Sequence, residues 1–161
     1  MTLIVDTREH KSAIVKILTE FSRQGVTVVR KKLDYADYWN PENPKVIIDR
    51  KQNLQEVVSN LTDYDDPRKG LKRFRREVIR CNRAGCHMIV LVEHGGKIHS
   101  LEDVMQWKNP RLRESPYAIS GERLFNKMHR LSSYYGIEWQ FCDKGHTGKR
   151  IIELLEVKPI E

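Results

Sequence analysis

The sequence has few cysteines and no long apolar run. None of its apolar stretches approaches the ~20 residues that a helix needs to cross a bilayer. The opening residues, MTLIVDTREH, contain too short an apolar stretch for the hydrophobic region of a secretory signal, so we expect a cytoplasmic protein. The three cysteines, Cys81, Cys86 and Cys142, are odd in number, which argues against a disulfide framework in such a chain.

Acidic residues are outnumbered by basic ones. Lysine and arginine total 29 against 22 aspartates and glutamates, which gives a formal net charge of +7 at pH 7. This excess favours a polyanionic partner, because cationic side chains steer such a partner and release its counterions. The 161 residues, 39% hydrophobic and 32% charged, suit one globular domain. We find no repeat, low-complexity segment or linker, so the domain is expected to span residues 1–161.

Strands alternate with helices in the hydrophobic pattern. β-favouring runs predict strands at residues 3–5, 26–33, 45–50, 88–92 and 137–141. Helical spacing of apolar residues predicts helices at 11–24, from 53 onward, after 67, at 101–107, from 124 to about 136 and at 151–157. Asn53 and Glu56 form the outline of a capping box, and residues 108–116 are predicted to be a loop. This alternation predicts an α/β domain with helices flanking a central sheet.

The helix after residue 67 has a strongly basic face. At about 100° per residue, one stripe carries basic residues only: Lys69, Lys72, Arg73, Arg76, Arg80 and Arg83. The opposite side is apolar, with Leu71, Phe74, Val78 and Cys81. Charge-rich helix faces are often merely solvated. Because no acid interleaves this stripe to form i,i+4 pairs, we interpret it as a surface that faces phosphate.

Several predicted strands end in an acid: Asp6, Asp37, Asp49 and Glu93. Acids that meet at one edge of a sheet can hold a divalent cation through oxygen ligands. Asp49 and Lys51 are two residues apart, so they project from the same face of their strand, whereas Arg50 points away. An acid, one spacer and a lysine at a strand end are typical of metal-dependent phosphodiesterases of the PD-(D/E)xK class. The simpler alternatives are that Asp6 caps the first helix and that Glu93 binds backbone.

Several ordered motifs resemble the nuclease domain of XPF-type structure-specific endonucleases, the family of the xeroderma pigmentosum group F protein. The family's V-D-x-R-E element corresponds to Val5 to Glu9, its G-D-Y to Ala36 to Tyr38, and its E-R-K to Asp49 to Lys51. Its helix with an acid and a serine corresponds to Glu56 with Ser59, and its R-F-x-x-E/Q element to Arg73 to Glu77. Its apolar strand ending in Glu-Gly corresponds to Met88 to Glu93. Two departures matter. Ala36 replaces a glycine, which costs little unless φ is positive there, and Asp49 replaces a glutamate, which shortens the metal ligand.

The resemblance implies a restriction-endonuclease-like fold with a mixed central sheet, and it implies roles for the site residues. Asp37 and Asp49, with the backbone carbonyl of Arg50, would hold Mg²⁺ or Mn²⁺. The outer acids would be Asp6 and Glu9, and Lys51 would serve the attacking water. The arginines Arg8, Arg50 and Arg73 would contact phosphate or brace the carboxylates.

The implied activity is hydrolysis of DNA phosphodiester bonds, at branched DNA or at junctions of single and double strands. The core of the resemblance covers residues 3–95. Residues 96–161 would complete the fold, as in compact phage and prophage members, with no room for the helix-hairpin-helix module that usually follows. The family also implies a homodimer. Two alternatives stay open: a catalytically silent DNA-binding or scaffold module, and a Holliday-junction resolvase or restriction-type nuclease.

Two further groups of residues suggest binding sites by type alone. A zinc site could draw on Cys81, Cys86, His87, Cys142 and His146, but the C-x4-C spacing is at the limit for structural zinc and buried cysteines commonly act as small apolar residues. Among the tryptophans, Trp39, Trp107 and Trp139, the last lies in an apolar strand and is predicted to be core. We favour Trp39, beside the Asp37-Tyr38 motif, for stacking on unpaired bases.

Overall fold

The computed structural model describes residues 1–62 and 69–157, and the side chains of residues 69–71 lie outside that description. Its strands are β1 (Thr2–Val5), β2 (Thr27–Arg30), β3 (Tyr38–Trp39), β4 (Val46–Lys51), β5 (His87–Glu93) and β6 (Glu138–Cys142). Its helices are α1 (Val15–Arg23), α2 (Leu54–Leu61), α3 (Lys69–Arg83), α4 (Gly121–Tyr135) and α5 (Thr147–Leu155). Short 3₁₀ turns lie at Lys11–Ala13, Glu102–Gln106, Pro110–Arg113 and Lys144–His146.

The strands form one six-stranded sheet in the order β2-β1-β3-β4-β5-β6. β1 pairs with β2 in parallel, and β4, β5 and β6 also pair in parallel. β3 is antiparallel to both of its neighbours, β1 and β4. The other five strands therefore share one direction, and the predicted mixed sheet with flanking helices is confirmed.

Each face of the sheet is covered by its own apolar core. One core packs Ile47 of β4 with residues of α2, α3 and α4, and the other packs Ile48 of β4 with residues of α1 and α5. Because strand side chains alternate, Asp49 and Lys51 lie on the same face as Ile47, towards α2 and α3. Arg50 lies on the face of Ile48, towards α1. Lys51 Nζ lies 5.9 Å from the centre of the Phe74 ring on α3, whereas Arg50 bonds to Glu9 and Glu93 instead, so the predicted alternation at the end of this strand is confirmed.

The helix boundaries follow from capping groups that the sequence shows. The Asn53 side chain accepts a hydrogen bond from the Glu56 amide at 2.9 Å, and the Glu56 carboxylate accepts one from the Gln52 amide at 2.7 Å. These two bonds satisfy amides at the start of α2, as the capping outline predicts. At the other end of the chain, α4 stops at Gly136, whose φ of 69° is the left-handed conformation that glycine adopts readily.

Several element limits differ from the prediction. The strand predicted at 26–33 ends at Arg30, because its neighbour β1 ends at Val5 and offers no further partner. The helix predicted at 11–24 starts as a 3₁₀ turn and becomes α-helical only at Val15. The segment predicted as a helix at 101–107 is 3₁₀, the predicted loop at 108–116 holds another 3₁₀ turn, and the last helix begins at Thr147 rather than at residue 151. β3 was not predicted at all, since two residues show no periodicity.

All three cysteines are free, with Cys81 and Cys86 buried. Within the described part of the chain, no helix combines the length and the apolar character that crossing a membrane requires.

Candidate active site

The sheet topology brings the predicted acids to one edge. The five strands of common direction end at that edge, and β3, which is reversed, begins there. Asp6 follows β1, Asp49 lies near the end of β4, Glu93 ends β5, and Asp37 immediately precedes β3. Carboxylates from four parts of the chain therefore meet without any of them being near another in sequence.

A cavity of about 210 Å³ opens at this edge, between the end of β4 and helices α2 and α3. Most of the predicted site residues line it: Arg8, Glu9, Asp37, Asp49, Arg50, Lys51 and Arg73. Ala36, Glu56, Asn60, Phe74 and Glu77 complete the lining. The polar character of this set is unusual for a recess of the fold and marks it as the candidate active site.

Asp49 and Lys51 form a buried ion pair within the cavity. Only 5% of Asp49 and 8% of Lys51 are exposed, and Lys51 Nζ lies 2.8 Å from Asp49 Oδ2. The contact is charge-assisted, because the ammonium group carries three N–H donors at hydrogen-bonding distance from this oxygen. Burial opposes the charged form of Lys51, but the charge of Asp49, the contact with it, and the charges of Asp37 and Glu56 together raise the pKa of the ammonium group. The pair therefore places a protonated amine beside one of the carboxylates that line the cavity.

Asp37 is fixed by the strands on both sides of it. Its amide donates to the Ile48 carbonyl at 2.9 Å, and its carbonyl accepts from the Asp6 amide at 2.8 Å. Its side-chain Oδ2 accepts from the Arg50 amide at 2.7 Å. Burial raises the pKa of the Asp37 carboxyl well above its ordinary value, and the nearby charges of Asp49 and Glu9 raise it further. A bound cation would relieve this crowding of negative charge.

Ala36, which directly precedes Asp37, has a left-handed backbone conformation. Its φ is 60° and its side chain is buried. The condition under which alanine is costly at this position is therefore met, because a Cβ in this region costs roughly 1–2 kcal/mol. The glycine of the family motif would adopt the same backbone without that cost.

On the other face of β4, the Arg50 side chain connects two carboxylates. Its Nε donates to Glu9 Oε2 at 2.8 Å and its guanidinium also donates to Glu93 Oε1 at 2.8 Å. Glu9 Oε2 accepts a second bond, from the Tyr38 hydroxyl at 2.9 Å. Two roles were predicted for Arg50, contact with phosphate and bracing of the carboxylates. Arg50 is only 6% exposed, and its contacts match the second role. Glu93 binds this side chain rather than backbone.

Asp6 lies beneath the site rather than in it. It is fully buried, one carboxylate oxygen accepts from the Leu33 amide at 3.1 Å, and the other accepts from Arg8 Nε. It does not line the cavity, and the first helical turn is preceded by His10 at its N-cap, so Asp6 is not the cap. Arg8 continues to the Leu33 carbonyl at 3.1 Å and to Glu77 at 3.9 Å. This chain of contacts fixes the loop between β2 and β3.

The basic stripe on α3 is exposed next to the cavity. Its described members are Lys72, Arg73, Arg76, Arg80 and Arg83, all exposed, while Phe74, Val78 and Cys81 on the other side are buried as predicted. The side chain of Lys69 lies outside the described residues. Arg80 also donates to the Asp34 carbonyl at 3.0 Å. Arg73 belongs both to this stripe and to the cavity lining, which makes the two surfaces continuous.

Glu77 is the site residue that the sequence reasoning overlooked. It lies on α3 at the edge of the basic stripe, half-buried, and lines the cavity. Burial and then the charge of Asp49 raise the pKa of its carboxyl. The signal was present, since Glu77 is the final residue of the R-F-x-x-E/Q element and lies about 40° from Arg73 on a helical projection.

The oxygen-rich lining fits a hard divalent cation better than zinc. Among the described residues, no three His, Cys, Asp or Glu side chains are grouped so that they could hold a metal ion. The cysteines and histidines considered for zinc are thus not grouped as a metal site in the described part of the chain. The pair Asp37 and Asp49 offers carboxylate oxygens to the cavity, and Mg²⁺ or Mn²⁺ would complete its shell with main-chain, water or phosphate oxygens. The residues therefore fit such an ion, with Asp37 and Asp49 as the predicted ligands.

All three tryptophans are buried or half-buried in the fold. Trp139 is buried and its indole N–H donates to the Met128 carbonyl at 3.0 Å, which confirms it as core. Trp39 is half-buried, and its N–H donates to the Pro44 carbonyl at 3.3 Å. Trp107 is also half-buried, against the core on the α4 side. Trp39 does not line the cavity.

Comparison with known proteins agrees with this geometry. The family model of the ERCC4 domain matches residues 5–144, further than the predicted core of the resemblance. The structure of XPF from Aeropyrum pernix superposes with a TM-score of 0.65 at 24% identity, over 96% of this chain and 63% of that one. XPF from Aeropyrum pernix in complex with DNA gives a TM-score of 0.63 at 22% identity, over 96% and 62%. The chain thus spans less than two thirds of these proteins, which share its fold. The search of curated proteins gave no significant match.

Proposed function

This chain belongs to the ERCC4 domain family, and from that premise we propose that it is a metal-dependent endonuclease that hydrolyses phosphodiester bonds of branched or junction-containing DNA. One of the structural neighbours named above, XPF from Aeropyrum pernix, was solved in complex with DNA, which supports a DNA partner for this chain. The positive net charge supports the same class of partner. An intracellular location and a homodimer, as in the resembled family, belong to the proposal.

One observation carries the proposal: the predicted ligand pair and the predicted lysine share a cavity that adjoins an exposed basic surface. A merely structural ion pair would not need an open approach. Here Asp37, Asp49 and Lys51 all line the cavity, and Arg73 connects it to the α3 stripe. A phosphate held by that stripe can therefore reach the carboxylates.

The chain's own groups divide the work of hydrolysis. Asp37 and Asp49 would hold Mg²⁺ or Mn²⁺, which supplies polarisation of the scissile phosphate and a water of lowered pKa. Lys51, kept protonated beside Asp49, orients the attacking water or balances the charge that develops on the phosphate. Arg50 holds the carboxylates of Glu9 and Glu93 in place, so the end of β4 stays rigid.

The test is the variant Asp49→Asn, which keeps the shape of the side chain and removes its charge. We expect cleavage to be abolished, while DNA affinity stays within a few-fold because the α3 stripe is untouched. The matched control is Glu42→Gln, an exposed acid in the turn between β3 and β4 and outside the cavity, which should cut like the wild type. Near wild-type cleavage by Asp49→Asn in Mg²⁺ would show that Asp49 is no ligand.

The substrate is tested by the choice of DNA. Labelled flap, fork, four-way and linear DNAs of equal length are incubated with Mg²⁺, with Mn²⁺ and with a chelator. Cleavage confined to branched DNA supports the proposal, and a strong preference for the four-way junction would favour a resolvase. A wild-type protein that binds these DNAs but cuts none of them would be the silent module instead.

A further inference from the structure

A second concave surface lies across α2 from the active-site cavity. It is a groove of about 700 Å³ between the 3₁₀ segments at Glu102–Gln106 and Pro110–Arg113 and the start of α4. Met105, Trp107 and Leu112 contribute apolar surface, and Met105 and Leu112 are 44% and 41% exposed. Lys108 and Arg113 are exposed beside them. The nuclease function proposed above makes no use of this groove.

The groove is physically connected to the active-site cavity through α2. Gln55 on α2 donates to Asn109 Oδ1 at 2.8 Å, and Asn109 lines the groove. The next residue, Glu56, and Asn60 line the cavity. A helix with its side chains is about 10–12 Å across, which equals about three base steps of a DNA strand at about 3.4 Å each. One DNA molecule can therefore contact both surfaces.

The shape of the groove is fixed rather than induced. Asn109 is buried, and its amide donates to the Ile119 carbonyl at 2.9 Å. At Gly121 a Cβ atom would collide with the carbonyl oxygens of Val104 and Trp107, so the first turn of α4 packs directly on the backbone of the groove. Such close packing preorganises the surface and lowers the entropy lost when a ligand binds.

We propose that this groove binds unpaired nucleotides of the DNA substrate, an inference that rests on the proposed nuclease function. Bases in a duplex hide their faces in the stack, whereas unpaired bases expose apolar faces that Met105, Trp107 and Leu112 can cover. Lys108 and Arg113 match the phosphates that accompany those bases. Met, Trp and Arg are also enriched at protein interfaces, so it is the connection of the groove to the active-site cavity through Gln55 and Asn109, not its composition, that favours DNA over a protein partner.

Binding is measured by fluorescence anisotropy in EDTA, on a blunt duplex and on the same duplex with a ten-nucleotide unpaired arm. The groove variant is Met105→Ser with Leu112→Ser, and the matched control is Val15→Ser with Val29→Ser, two residues of similar exposure elsewhere. We expect the wild type and the control to bind the armed DNA at least about fivefold more tightly than the duplex, since a covered base contributes at this scale. The groove variant should lose that preference and keep its duplex affinity within twofold.

A second measurement does not depend on a substitution. The arm carries 5-iododeoxyuridine, and the peptide that becomes crosslinked to it under ultraviolet light is identified by mass spectrometry. Crosslinks to the segment that contains Trp107 support the proposal, and crosslinks only to other segments overturn it.

Other outcomes separate this inference from the function on which it rests. Equal affinity of the wild type for both DNAs overturns the groove proposal, while Mg²⁺-dependent cleavage that Asp49→Asn abolishes leaves the nuclease proposal standing. A groove variant that keeps its preference for the arm also overturns it. A change of oligomeric mass in the groove variant alone, by light scattering, would show that the groove is an interface between copies.

Discussion

The brace at Arg50 gives a prediction of unusual size for a single side chain. In Arg50→Met the apolar stem is kept, but the carboxylates of Glu9 and Glu93 lose the guanidinium that each contacts at 2.8 Å. The Arg50 side chain is 4% exposed, and those of Glu9 and Glu93 are 12% and 9% exposed, so solvent can compensate little. Removal of one partner from a buried ion pair typically costs about 3–5 kcal/mol.

This cost should appear in equilibrium urea unfolding and in the melting temperature. For a chain of this length, 1 kcal/mol corresponds to roughly 2–4 °C, so we expect a decrease of about 6–20 °C. The matched control is Arg23→Met, which breaks the exposed pair between Arg23 and Glu20 and should cost less than about 1 kcal/mol. Adding Glu93→Gln to Arg50→Met should restore part of the stability, because it removes one of the stranded charges.

The competing role for Arg50, contact with DNA phosphate, makes a different prediction. If Arg50 is a brace, the folded variant keeps the salt dependence of DNA binding. If it contacts duplex phosphate, the slope of log affinity against log salt falls by about 0.9. A variant that loses less than about 1 kcal/mol of stability and flattens the salt dependence would refute the reasoning.

Three further predictions concern the cavity and the stripe. Lys51→Ala should spare DNA binding and slow single-turnover cleavage at saturating Mg²⁺ by on the order of 10²-fold or more, and Lys51→Arg should rescue little; wild-type rates in Lys51→Ala would make this pair an ordinary strand end. Arg76→Ala with Arg80→Ala should weaken binding to all duplex sequences alike and reduce the salt slope by about 0.9 per lost contact, whereas an unchanged slope would show a merely solvated face. Asp37→Asn should abolish cleavage yet raise the melting temperature of the metal-free protein. The pKa of Asp37 is raised in the folded state, so the stability of the wild type falls as the pH rises from about 4 through that pKa. The gain in the variant should therefore be large at pH 8, shrink as the pH is lowered and vanish near pH 4, and a gain independent of pH would contradict this cause.

The fold and the face of each strand-end residue were accessible from the sequence, for a physical reason. Side-chain alternation in a strand is strict, so the spacing of Asp49 and Lys51 suffices to place them together. Long-range pairing is not encoded in spacing. The partners of Arg50 lie 41 and 43 residues away, and only the meeting of strand ends brings them within reach.

Other features depended on backbone detail that the residue pattern does not reveal. The two-residue strand β3 has no periodicity, so it was not predicted, and the resemblance indicated only the motif from Ala36 to Tyr38 at this position. The positive φ of Ala36 could not be predicted, because a residue with a Cβ rarely adopts that conformation. The assignments of Asp37 and Asp49 as metal ligands, and the extent of the domain over residues 1–161, stay predictions.

The brevity of β3 has a consequence for how the proposed activity would be lost. Only two residue pairs join β3 to each neighbour, and yet this strand positions Asp37 opposite Asp49. The chemistry thus sits on the most weakly bonded seam of the sheet, where local opening should need much less free energy than global unfolding. We expect the amide of Asp37 to exchange with deuterium earlier than those in the interior of β4 and β5. Heat should then inactivate the protein several degrees before its helices melt, and a cation that bridges the seam should bring the two temperatures together.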